Sequence, residues 1–258
     1  MYMEDFQTWL NSKGQHLPVD GQCGQTTRDA VKAVFTNLDA KAVTDEQMRS
    51  LATWLGCSYN QLVAVSRVES AGAGYDSNGR PKMLFERHKF SDFTYGLYDV
   101  EPWSNPDSGG YNEDSWEKLT HAIADDLRCA FKSASWGKFQ VMGFWFPNME
   151  FCSALEFAYS TVISEYHHYY LFVRYIKMCY LEEELRMVST KPDDCRPFAH
   201  GYNGPAYEDG NYHVKIADEM KRLEANDDGK IETGVIVEEV AEEVVVETLE
   251  EDPKDTAK

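Results

Sequence analysis

The sequence contains no apolar run near the ~18 residues that a membrane-spanning helix needs. Its N-terminus, MYMEDFQTWL, lacks the basic flank and apolar stretch of a secretory signal. The six cysteines (Cys23, Cys57, Cys129, Cys152, Cys179 and Cys195) form no C-x-x-C pair, and no histidine stands at zinc-finger spacing from them. Positive charge is also scarce: 25 Lys and Arg face 44 Asp and Glu, for a net charge of −19. That balance argues against a protein that holds nucleic acid by neutralising phosphates. These absences predict a chain made in the cytosol, with reduced thiols, no membrane insertion and no structural zinc. The even cysteine count keeps disulfides open for a chain that works outside the cytosol.

What the sequence does have is material for a core. Apolar residues make up 43% of 258, including 13 Phe, 15 Tyr and 6 Trp. That is enough for one large domain, or a medium domain plus a small one. Three regions separate. Residues 1–43 predict a short helical module: Phe6, Trp9 and Leu10 recur at helical spacing, a turn-rich stretch comes next, and Ala30, Val31, Val34 and Phe35 share a second helical face. A module this small must pack against the body of the chain. Residues 227–258 carry 12 acidic and 3 basic residues and predict an acidic, disordered tail, with a partner-docking segment as the alternative.

Residues 44–226 predict a mainly α body with a small β-hairpin region. Thr44 and Gln47, Ser58 and Gln61, and Ser153 and Glu156 have the spacing of helix-opening capping pairs. Ser115 opens a further helix. PKMLFERHKF is the one plausible strand, Ser135 suits the cap of a short helix, and HGYNGP suits a tight turn. The aromatic run YHHYYLFVRYIKMCY predicts a core helix, and a last helix runs from about Asn211 to Glu224.

Glu69 stands out. On a helix it shares a stripe with Leu62 and Val65 and so points toward the interior, while Arg67 points away. Desolvation there, and the negative end of the helix dipole, raise a carboxyl pKa. A general acid for glycosidic cleavage needs that property. A solvated helix end remains the alternative on this argument alone. His167 and His168 lie in the core-like helix without a third metal ligand at useful spacing, so no metal is implied.

Three ordered stretches, SRVESAGAGYDSNGRPKMLFERHKF, SASWGKFQVMGF and FAHGYNGPAYEDGNYHVKIA, span about residues 60–217, from Ser66 to Ala217. Together they resemble the lysozyme-like fold of goose-type lysozymes and lytic transglycosylases. The body is most similar to the N-acetylmuramidase domain of phage endolysins. The resemblance implies Glu69 as catalytic acid and a family glutamate at Glu86. It also implies a sugar cleft lined by Gln140, Gly137, Trp136, Tyr202 and Asn203. Asp76 and Asp92 are weaker candidates for the second carboxylate, and Phe139 and Tyr111 for stacking. The implied substrate is bacterial peptidoglycan, cut by a monomer without cofactor. The implied origin is a phage, with a cytosolic pool and passage through a holin-type pore. Hydrolysis, lytic transglycosylase chemistry and a non-catalytic wall-docking or virion role all stay open. LPVDGQCGQTTRDAVKAVF is similar to the D-G-x-x-G-x-x-T-x-x-A-V signature of peptidoglycan-binding modules, which makes Asp20, Gly21, Gly24 and Thr27 wall-binding candidates. Cys23 stands where that family has an aromatic, and a helical brace for the body is the alternative.

Overall fold

The computed structural model describes residues 1–70, 72–98 and 114–226. The tail from 227 onward and Tyr111 lie outside them. The chain opens with α1 (Met3–Ser12) and α2 (Gln25–Val34). The loop between them is organised by one buried side chain. Gln7 donates from Nε2 to Asp20 Oδ1 (2.8 Å) and to the Gln22 carbonyl (3.1 Å). Its Oε1 accepts the Asp20 and Gly21 N–H groups at 3.0 and 2.9 Å. Phe6, Leu10, Val31 and Phe35 are fully buried. They join the core of the body rather than form their own: Phe35 meets Trp116, Phe131 and Trp136 at 5.4–5.8 Å between ring centroids. Trp9 meets Tyr159 edge-on at 5.2 Å.

Next come α3 (Asp45–Leu55) and α4 (Tyr59–Glu69), which form a helical hairpin. The capping pairs form as predicted: Thr44 and Gln47, then Ser58 and Gln61, exchange side-chain and backbone hydrogen bonds. Gly56 ends α3 at φ +69°, a left-handed position that glycine adopts without a Cβ penalty. Leu62 and Val65 are fully buried and Arg67 is exposed, as the stripe requires.

The predicted strand is shorter than expected. β1 spans Met83–Phe85, and RHKFSDF folds as α5 (Arg87–Phe93) with Glu86 at its N-cap position. After α6 (Ser115–Asp125) and α7 (Leu127–Lys132), β2 (Ala134–Trp136) and β3 (Val141–Met142) form a hairpin. The three strands make an antiparallel sheet in the order β1-β2-β3. This corrects the short helix expected at Ser135. Ser135 pairs with Leu84 and Met142 in the sheet, and Gly137 at φ +73° with Gln140 at φ +52° supplies the turn. α6 opens at Ser115 as expected, and Asp114 caps it, accepting the Trp116 N–H at 2.8 Å.

A 3₁₀ turn, Gly143–Met149, leads to α8 (Ala154–Ile163) and α9 (Glu165–Met178). Ser153 caps α8 through the Glu156 N–H at 3.1 Å. Phe172, Val173 and Ile176 of α9 are fully buried, which bears out the core placement of the aromatic run. Then come α10 (Glu182–Met187), α11 (Pro192–Asn203) and α12 (Tyr212–Asn226). HGYN is therefore the last turn of a helix rather than an interhelix turn. Gly201 lets Leu181 press against α11, where a Cβ would meet Leu181 Cδ2 at 2.3 Å. Gly204, at φ +73°, ends the helix.

The segment between α2 and α3 is fastened along its length. The Asn37 N–H donates to the Gly79 carbonyl (2.9 Å), and its side-chain amide to the Val162 carbonyl (2.8 Å). Glu165 N–H donates to the Lys41 carbonyl (2.9 Å), and Val43 N–H to Glu165 Oε2 (3.0 Å). None of the six cysteines is in a disulfide. Among the described residues no helix is long and apolar enough to cross a membrane. No His, Cys, Asp and Glu cluster among them could hold a metal.

Candidate active site

Glu69 is the final residue of α4, half-buried where α4 packs against α12. Burial pushes its carboxyl up to about 7, opposed by a hydrogen bond from Asn203 and by the Lys215 charge. Asn203 Nδ2 donates to Glu69 Oε1 at 2.9 Å, joining the ends of α4 and α11 across 134 residues of sequence. An acid with this pKa is about half protonated near neutral pH and can deliver a proton to a leaving oxygen.

The other predicted residues divide. Tyr202 is half-buried against Phe172, Tyr175 and Phe198. Burial and the Glu69 charge hold its phenol well above the usual range, so it stays a neutral hydroxyl. Glu86 directly follows β1, at the N-cap position of α5. Its backbone N–H donates to the Ser133 carbonyl (2.9 Å), and its carboxylate is 3.5 Å from His88 Nδ1. The hydrogen-bond partner of Glu69 is Asn203, not Glu86. Asp76 pairs with Arg80 at 3.0 Å, and Asp92 pairs with Lys89 at 3.3 Å.

Gln140 braces the hairpin turn. It accepts from Ser135 Oγ (2.8 Å) and donates to the Gly137 carbonyl (2.7 Å). It also lines, with Asp76, Arg80, Met83 and Trp116, an open cleft of about 510 Å³ beside β1. Glu69 is not among the lining residues of that cleft. Trp136 must be corrected as a sugar platform. It is 1% exposed, stacked on Phe131 and edge-on to Trp116, so neither ring face can reach a ligand. Phe139 is likewise buried, stacked on Phe172 at 4.2 Å.

In the N-terminal signature, Asp20 and Gly21 are held by Gln7, and buried Thr27 donates to the Gln22 carbonyl at 3.2 Å. Gly24 is the N-cap of α2. Lys215 was not singled out by the sequence. It is exposed on α12, 5.3 Å over the Tyr212 ring, and no local pattern links it to Glu69.

Asn203→Leu removes the bond that stabilises the ionised carboxylate. The Glu69 pKa should then rise further, and the alkaline limb of the activity profile should move to higher pH while kcat falls. A pH–rate series on the variant measures both. An alkaline limb that stays put would separate Asn203 from the acid.

A helical body with a small three-stranded antiparallel sheet and a helix-end carboxyl held by an amide fits the lysozyme-like fold. Residues 58–224 match the model of the N-acetylmuramidase family, and the chain belongs to that family of peptidoglycan-degrading enzymes. It is also similar to the crystal structure of the endolysin of Burkholderia phage AP3. The two are 28% identical with a TM-score of 0.65, over 87% of this chain and 95% of that one. No curated protein matches the chain.

Proposed function

We propose that the chain is a phage endolysin that hydrolyses the β-1,4 bond between N-acetylmuramic acid and N-acetylglucosamine, lysing the host cell. The observation that carries the reading is Glu69, a half-buried carboxyl raised to about 7 and held by Asn203. Glu69 protonates the departing glycosidic oxygen, and positive charge develops on the sugar. Glu86 is the proposed second carboxylate, serving a water or the developing charge across the cleft. Tyr202 and Asn203 position the acetamido sugar, and Gly137 and Gln140 shape the hairpin beside it. Residues 44–226 form the catalytic region, 1–43 the N-terminal module and 227–258 an acidic tail. The protein is made in the host cytoplasm and reaches the wall through a holin-type pore. The similarity to the phage AP3 endolysin supports this setting.

A second reading is a lytic transglycosylase, in which the sugar's own hydroxyl attacks and leaves a 1,6-anhydro end. The observation in its favour is that, among the described residues, the groups acting on Glu69 are an amide and an ammonium. Purified peptidoglycan digested with wild type and with Glu69→Gln, then mass analysis of the muropeptides, decides. Reducing muramic ends are expected from the wild type and none from the variant. Anhydro ends would replace hydrolysis by the second reading, and full activity in the variant would remove Glu69 from the chemistry. Glu86→Gln in the same assay is expected to lose activity, and a fully active protein would leave Glu86 as scaffold.

A further inference from the structure

His168 belongs to no part of the chemistry above, yet it is 1% exposed and uses both ring nitrogens. The Lys138 N–H donates to its Nδ1 at 3.0 Å. Nδ1 is thus an acceptor, the proton sits on Nε2, and Nε2 donates to the Thr161 carbonyl at 2.7 Å. The ring edge fills a slot between two glycines. A Cβ on Gly74 would lie 2.5 Å from Nδ1, and one on Gly137 would lie 3.0 Å from it.

Those glycines belong to two different walls. Gly74 is five residues beyond Glu69, on the segment that leaves the acid. Gly137 is the turn of the β2–β3 hairpin. Lys82 joins them: its N–H donates to the Gly74 carbonyl (2.8 Å), and its carbonyl accepts the Gly137 N–H (2.7 Å). The chain leaving Glu69 is thereby added to the end of β1 and, through it, to the hairpin. His168 closes this ladder from behind, with the Tyr75 ring 4.8 Å away.

We propose that His168 is a positioning residue for glycan cleavage, fixing the segment that leaves Glu69 against the β2–β3 turn. The proposal rests on the reading of Glu69 as the acid. Protonation undoes the arrangement, because an imidazolium has two donors and cannot accept from Lys138. The groups facing the ring are Glu165 and His167 on α9, Lys138 in the hairpin and Tyr75 on the segment after α4. Burial outweighs them and depresses the imidazole to about 4. The ring is therefore neutral wherever the enzyme works at neutral pH.

Three variants, His168→Asn, His168→Leu and Glu69→Gln, are made in the full chain. Release of soluble muropeptides is monitored between about pH 4 and pH 8. Asn keeps an acceptor for the Lys138 N–H and does not titrate. It should retain activity at neutral pH and lose the component of the acid limb that coincides with imidazole protonation, tracked by NMR of the wild-type ring. Leu fills the space without hydrogen bonds, and kcat should fall about 10²-fold with little change in KM. A folded Leu variant with wild-type kcat and pH profile would overturn the proposal. If Leu does not fold, an Asn variant with an unchanged acid limb overturns it instead. Glu69→Gln separates the two ideas. Activity in that protein removes the acid, whereas an inactive Glu69→Gln beside wild-type-like His168 variants removes only the positioning role.

Discussion

Glu69→Gln should be both nearly inactive and more stable than the wild type above neutral pH. The first half comes from losing a general acid, worth about 10²–10⁴ in rate. The second comes from linkage. The folded protein holds the Glu69 carboxyl at about 7, above its ordinary 4.5, so between these values it binds more protons than the unfolded chain. The stability associated with that proton is complete below about pH 4.5 and is lost as pH rises through about 7. A displacement of this size corresponds to about 3 kcal/mol, and partial exposure reduces it to about 2. Glutamine carries no charge and escapes the penalty. Thermal melts should show the variant several degrees above wild type near pH 8 and level with it near pH 4. A variant that melts with the wild type at both pH values would mean that Glu69 is solvated and its acid role unsupported.

The second large effect concerns residues 1–43. A tethered wall-binding module could be removed with loss of affinity alone. Here Phe6 and Phe35 are fully buried against Phe131, Trp136 and Trp116, and their removal would open the centre of the aromatic core. Phe35→Ala alone should cost about 3–5 kcal/mol, the usual range for emptying a buried phenylalanine site. Deleting the whole segment should abolish the cooperative melt. It would also remove the Asn37 bonds to Gly79 and Val162 and the Lys41 bond to Glu165, leaving those groups without these partners. A truncated protein that melts cooperatively, cleaves normally and only loses wall pull-down would establish the module as a separate binder.

The parts of the fold legible in the sequence were local. The capping pairs at α3 and α4 and the Leu62–Val65 stripe operate within a few residues and formed where their spacing placed them, whereas Trp54, expected on the apolar side of α3, is exposed. Glycine and proline were poorer guides. Pro192, Pro197 and Gly201 all lie inside α11: Pro192 stands in its first turn, and Leu181 presses on Gly201. The hairpin at Ala134–Met142 was misread because strands of three and two residues are too short for alternation to declare itself. At the site, the stripe shared with Leu62 and Val65 sets the direction of Glu69. Its partnership with Asn203 is invisible in the sequence, since a contact across 134 residues leaves no local trace. Trp136 shows the converse: a motif residue can be set by the core beneath the site rather than by the ligand above it.

The reduced thiols carry a consequence for handling and lifetime. Burial pushes Cys57 up to about 12 and Cys129 up to about 11, and it raises Cys23, Cys179 and Cys195 as well. Thiol–disulfide exchange proceeds through the thiolate, so these five react slowly at neutral pH. Oxidation should begin at Cys152, the exposed thiol, and yield a disulfide-linked pair of chains before any internal crosslink. Ageing in air should then be visible on a non-reducing gel as a single dimer band, and Cys152→Ser should remove it.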